Sequence, residues 1–138
     1  LRLASLAGDL AAYRYKQLIL LLSNPATRRE YPPEASYFLG EAYRLRNEAG
    51  DEAAAEREFN TAIETAPRYA PPHRALGLLH YKRGDAGAAA ARLRHYLALD
   101  PGAADRTYVE YYITLMDSAA PADNNLPKTE PAPAEPTP

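Results

Sequence analysis

The sequence predicts an all-α fold of antiparallel helix pairs, on three observations. The first is a repeat: Gly50 to Gly84, Ala55 to Ala89, Phe59 to Leu93 and Pro67 to Pro101 are each 34 residues apart, a period that belongs to stacked two-helix units. The second is helical periodicity, since Leu39, Gly40 and Tyr43, and again Leu76, Gly77 and His80, lie at i, i+1 and i+4 and share one helical face. The third is punctuation. Gly50-Asp51 and Gly84-Asp85 each join a left-handed helix stop to an N-cap aspartate, the signal of a tight helical turn.

Taken in order, Gly8-Asp9 repeats that turn, and Pro25 follows Gly8 by 17 residues as Pro67 follows Gly50. Residues 1–25 therefore read as an earlier repeat, with a short first helix over Leu1–Ala7 and a second over Asp9–Ser23 that carries Leu10, Tyr13, Leu18, Leu21 and Leu22. Asn24 to Pro33, with Arg28, Arg29, Glu30 and Pro32-Pro33, reads as a connection longer than the usual few residues. The next repeats span about 33–67 and 70–101. Ala55, Phe59, Ala62 and Ile63 form the packing stripe of one second helix, and Ala89, Leu93, Tyr96 and Leu97 that of the other. Gly40 and Gly77 lie in the packing stripes of the first helices, where a missing Cβ lets the facing helix approach and must offset a helix cost of roughly 1 kcal/mol. Gly87, in a first turn, is expected to face water.

Residues 104–118, with Tyr108, Tyr111, Tyr112, Leu115 and Met116 at helical spacing and no second glycine-aspartate turn after them, read as a helix capping the last repeat. From Ala119 onward, Pro121, Pro127, Pro131, Pro133, Pro136 and Pro138 alternate with alanine, threonine and acidic residues. That composition predicts a disordered tail over 119–138.

The period and the residues at it resemble the tetratricopeptide repeat (TPR) family. The resemblance implies a right-handed superhelical solenoid, capped at its C-terminus, that holds an extended peptide or a helix of another protein in a concave groove lined by first helices. Placed on this sequence, the groove residues are Tyr37, Glu41, Arg44 and Leu45, then Arg74, Leu78, Tyr81 and Lys82, then Tyr108 and Tyr112. Aromatic rings with arginines are the residue types that dominate interface energetics. Some members clamp a partner's terminal carboxylate with lysine, arginine and asparagine. Here Arg44, Arg74 and Lys82 are present, but the one amide, Asn47, lies beyond the stripe. Ser36 and His73 stand where the family usually has tryptophan, which implies a loosely packed position. Terminal arrays of this look occur in bacterial envelope proteins, including some metalloproteases and lipoproteins, so the resemblance points to the periplasm or envelope.

A formal net charge of −2 does not give the basic face of a nucleic-acid binder. The apolar run Leu18–Leu22 falls far short of the ~20 residues that span a bilayer. With no cysteine in the chain, disulfide and thiolate chemistry are excluded. The chain opens on Leu1 without a charged region, apolar core and cleavage site, which reads as a processed or truncated product.

His73, His80 and His95 form no His-Glu-x-x-His pair, the spacing that would place two ligands on one helical face. Glu56 and Glu58 point to different faces, and Asp51-Glu52 sits in a first turn, where acids favour the helix dipole. Ser5, Ser23, Ser36 and Ser118 occur in no nucleophile-elbow sequence. The expectation is no enzyme, metal or cofactor. Three functions follow: an interaction module for another protein, a docking or regulatory domain of a larger enzyme, or a self-assembly scaffold that pairs through the shortened N-terminal repeat.

Overall fold

A computed structural model describes residues 2–118, which are all-helical, with eight α-helices and no strand among them. They divide into two compact units, one ending at Pro72 and the other beginning at His73. The proline-rich tail expected to be disordered lies outside the described residues.

In the first unit, α1 (Leu3–Ala11), α2 (Tyr15–Leu22), α3 (Pro25–Glu30), α4 (Glu34–Arg46) and α5 (Asp51–Thr65) follow one another. Leu6, Leu18, Leu22, Ala35, Leu39 and Ala42 form a buried cluster, with Leu10, Tyr15, Ile19 and Phe38 packed against it. The helix stop expected at Gly8-Asp9 is overridden. Helix α1 runs through both residues because Leu10, one turn after the buried Leu6, reaches the core only if the helix continues. The turn falls instead at Tyr13, which takes a left-handed φ of 59°, while the Arg14 N–H donates to the Asp9 carbonyl at 2.9 Å.

The long connection expected over Asn24–Pro33 contains helix α3. Asn24 accepts the Ala26 N–H at 2.9 Å, and Pro25 follows at the first helical position. An amide cap followed by a residue that needs no N–H partner is a helix start. That short helix aims Arg28 at α5, where its Nη2 lies 2.6 Å from Glu58 Oε1 and 3.4 Å from the Ser36 hydroxyl.

Helices α4 and α5 meet through the predicted stripes. A Cβ on Gly40 would lie 2.5 Å from Phe59 Cε1, and Phe59, Ala55 and Ala62 are fully buried. The turn between them departs from the glycine-aspartate expectation. Asn47, at φ 55°, ends α4, and Gly50, at φ 83°, precedes α5. Asp51 does not cap the helix with its side chain. Its carboxylate is buried and receives two Arg46 N–H bonds, each 2.8 Å, plus the Glu48 backbone N–H at 2.9 Å.

The second unit carries most of α6 (Pro71–Lys82), then α7 (Ala86–Leu99) and α8 (Arg106–Ser118). Here the turn follows expectation. Gly84 has φ 81°, and Asp85 caps α7 by accepting the Ala88 N–H at 3.2 Å. A Cβ on Gly77 would fall 2.8 Å from both Cγ and Cδ2 of Leu93. Ala89, Leu93, Tyr96 and Leu97 are all buried. Helix α8 packs through Val109, Ile113 and Met116, with Tyr112 half-buried and Tyr108 and Tyr111 exposed.

Gly77→Leu is expected to cost about 1–3 kcal/mol, because Leu93 Cγ is too near its own backbone to yield cheaply. Gly87→Leu, where nothing lies within 4 Å of an added Cβ, should gain up to about 1 kcal/mol. Thermal unfolding followed by circular dichroism should move the two melting temperatures in opposite directions.

The Asp51 clamp gives a pH dependence of known sign. The Arg46 hydrogen bonds, with the Glu48 N–H, hold the Asp51 carboxyl below its ordinary value of 3.8. A depressed acid contributes stability that is complete above the unfolded value and is lost as pH falls through the folded one. Asp51→Asn should therefore be destabilising by about 1–3 kcal/mol at pH 7. The deficit relative to the parent should shrink in urea titrations carried from pH 5 to below 3.8.

Candidate functional site

The surface that merits attention is built where α8 lies along α6. Two contacts set their register: Arg74 Nε donates to Asp105 Oδ2 at 2.5 Å, and the Tyr81 and Tyr112 rings meet edge-to-face with centroids 5.5 Å apart. Both pairs are separated by 31 residues, so α6 and α8 run side by side in the same direction. Asp105 is the anchor. Its second oxygen accepts the Tyr96 hydroxyl from α7 at 2.7 Å, and one buried carboxylate thus fastens the start of α8 to two other helices.

The aromatic contacts continue outward from there. Tyr111 meets Tyr112 edge-to-face at 5.4 Å, so a ladder runs from Tyr81, 3% exposed, through half-buried Tyr112 to Tyr111, 59% exposed. Tyr108 stands one turn before Tyr112 and is 45% exposed. Edge-to-face rings of this kind are held in fixed orientations by their quadrupoles. Burial, with smaller contributions from Tyr112 and Tyr111, pushes the Tyr81 phenol up to about 12. Burial and the bond to Asp105 push Tyr96 further still. Both are neutral hydroxyls at physiological pH. The Tyr81 hydroxyl is buried without a hydrogen-bond partner, which costs about 1–3 kcal/mol.

The residues expected to line a groove divide into three sets. Tyr108, Lys82 and Leu45 are exposed, and Tyr112 is half-buried. Glu41, Leu78 and Tyr81 are not available as expected: they are 4%, 5% and 3% exposed, because their helices are packed on that side too. Tyr37, Arg44 and Arg74 are partly buried and engaged within the fold. Tyr37 packs on Phe38, Phe59 and Tyr69. Arg44 holds Glu41 through Nη2 at 2.7 Å and Nε at 3.2 Å, and Arg74 holds Asp105. A carboxylate clamp would have to compete with these internal acids, and Asn47 is occupied in ending α4.

Ser36 and His73 are not loosely packed. Both are buried, and an arginine fills the space beside each: Arg28 reaches the Ser36 hydroxyl, and Arg92 reaches the His73 ring. Sequence reasoning missed Asp105 and Tyr111. Tyr111 could have been found from its place beside Tyr112. Asp105 carried no signal beyond being an acid just ahead of a helix.

No group of three or more histidine, cysteine, aspartate or glutamate side chains among the described residues is placed to hold a metal ion, and no helix among them is long and apolar enough to cross a membrane. No protein-family model matches the chain, and no curated protein matches it either.

Asp105→Ala should cost about 3–5 kcal/mol, since it leaves Arg74 and the Tyr96 hydroxyl without their shared partner. Urea unfolding should show a lowered midpoint. Tyr111 and Tyr112 proton resonances should lose dispersion in the variant as α8 loosens.

Proposed function

We propose that the chain is a tetratricopeptide-like interaction module, a solenoid of helix pairs with no chemistry of its own, and that it holds an extended peptide or helix of another protein on the α6–α8 tyrosine face. The observation that carries this is the ladder from Tyr81 through Tyr112 to Tyr111, with Tyr108 beside it: rigid amphipathic rings brought to the surface by a helix fixed at Asp105. Rings of this type supply large contact area at little cost in rotamer entropy, and tyrosine is enriched among the residues that dominate binding.

Further support comes from the shared 31-residue register of α6 and α8. Successive first helices of a solenoid lie in this way, which supports reading α8 as a following first helix that closes the array. Lys82, exposed at the end of α6, adds a cation that favours an acidic ligand.

The test is a peptide selected from a displayed random library on the immobilised chain and then measured in solution by fluorescence anisotropy. Tyr108→Ala combined with Tyr111→Ala should weaken it by at least about 10-fold, the loss expected of an interface anchor, with the far-ultraviolet spectrum unchanged. Lys82→Glu should weaken acidic peptides selectively. Selected peptides that bind both variants as tightly as the parent would place binding on another surface.

A further inference from the structure

Helix α8 has two flanks beside its buried stripe, and the tyrosine face uses only one of them. On the other, Arg106, Glu110, Ile113 and Asp117 recur at i, i+4, i+7 and i+11, spacings that keep them on one helical side. Arg94, Leu97, Ala98 and Pro101 recur at i, i+3, i+4 and i+7 along α7 and just past its end. Between these two stripes lies an open groove of about 520 Å³ whose apolar lining is Leu97, Ala98, Pro101 and Ile113. An ion pair stands at each end: Arg94 with Asp117 where α8 finishes, and Arg106 with Glu110 near where it begins. All four charged side chains are about half exposed. Exposed pairs of this kind are worth little, so they can exchange partners at small cost.

Among the described residues no helix follows α8, and the last unit of a helical array leaves an apolar side for one more element to cover. The stretch that comes next, residues 119–138, carries one large apolar side chain, Leu126, with Lys128 and Glu130 just beyond it. Pro127 and Pro131 flank those charges. Proline favours extended backbone and has no N–H to satisfy, which suits an apolar groove. Leu126 lies eight residues after Ser118, and Pro121, Asp123, Asn124 and Asn125 in between are turn formers. That is enough chain to reverse direction and bring Leu126 back to Ile113, five residues before Ser118.

We infer that residues 126–130 dock in this groove, antiparallel to α8, as an extended strap over the α7–α8 side of the array. The order and spacing of charge on the two segments carry the inference. With Leu126 over Leu97 and Ile113, Lys128 falls about 6 Å further along an extended proline-rich chain, and Glu110 lies about 4.5 Å from Ile113 along the helix. Glu130 falls about 12 Å along, and Arg106 about 10.5 Å. Apolar, cationic and anionic positions of the strap thus meet apolar, anionic and cationic positions of α8 in the same order. A segment whose composition cannot order itself can still be ordered on a preformed surface. Docking here leaves the tyrosine face open, because the groove and the tyrosines occupy different flanks of α8.

The test uses the whole chain with a nitroxide spin label at Thr129→Cys, a unique site because the chain has no other cysteine. Methyl resonances of Leu97 and Ile113 should broaden strongly. That of Ala88, which precedes Arg94 on α7 and so lies beyond the Asp117 end of the groove, should broaden less. Leu126→Ser should weaken docking at least about 10-fold, and it changes no residue of the helices. Lys128→Glu should weaken it about 2- to 5-fold, and adding Glu110→Lys should restore it. Broadening at Ile113 that stays at the parental level in Leu126→Ser reflects the tether alone and overturns the inference. Broadening no greater at Ile113 than at Ala88 also overturns it. Mixing spin-labelled chain with isotope-enriched, unlabelled chain separates the sources. Broadening that appears only between chains and grows with concentration assigns the groove to a second copy, and overturns docking within one chain.

Discussion

Two helix pairs in this chain depend on one steric constraint: a first helix can meet its second helix closely only where it has no side chain. Gly40 faces the ring of Phe59 and Gly77 faces Leu93, and at both places even a methyl group would overlap its neighbour. The buried side chain on the second helix thus acts as a knob whose socket is the bare backbone of the first. Everything set by the rotation of α4 and α6 follows from that contact. On α6 it turns His73 and His80 to one side and Arg74, Leu78 and Tyr81 to the other.

Charge is used sparingly but at structural joints. Asp51 closes the α4–α5 turn by gripping Arg46, and Asp105 fastens the start of α8 by taking Arg74 and the Tyr96 hydroxyl. Buried carboxylates are expensive unless several donors surround them, and each of these has at least three polar atoms directed at it or two from separate helices. The arginines that stand beside Ser36 and His73 serve differently. Their long apolar stems occupy volume while their heads find a polar neighbour, which lets a serine or a histidine sit at a buried position in a helix.

The helices of residues 33–101 were legible because packing stripes, turn glycines and terminal prolines all agreed there. Leu39, Gly40, Leu76 and Gly77 are buried as their spacing required. The N-terminal part was less legible, since a glycine-aspartate pair is a weak stop compared with the packing of half-buried Leu10 on the core, and α1 ran on to a left-handed Tyr13. Helix α3 was hidden because Asn24-Pro25 serves equally well as a turn and as a helix start. Candidate binding residues were harder to assign. Position on a first helix does not tell which flank is covered by the next element, so Leu78 and Tyr81 proved buried while Tyr111, expected only as one of the apolar residues at helical spacing in the capping helix, proved exposed. Arg44 and Arg74 were identifiable as cations, but their internal acids, Glu41 and Asp105, become visible only in three dimensions.

The attachment of α8 at its first turn has a consequence for how sequence length can vary there. Ahead of Asp105 the chain crosses from α7 in a short run of turns, and added residues could be absorbed without turning the helix. Beyond Asp105 each residue advances the helix by about 100°, so a single insertion before Tyr108 would rotate Val109, Ile113 and Met116 out of the core and swing the exposed rings toward it. Asp105 is thus the origin from which the angular position of every later side chain is counted. The display of tyrosines on this face is a property of distance from that aspartate as much as of the tyrosines themselves.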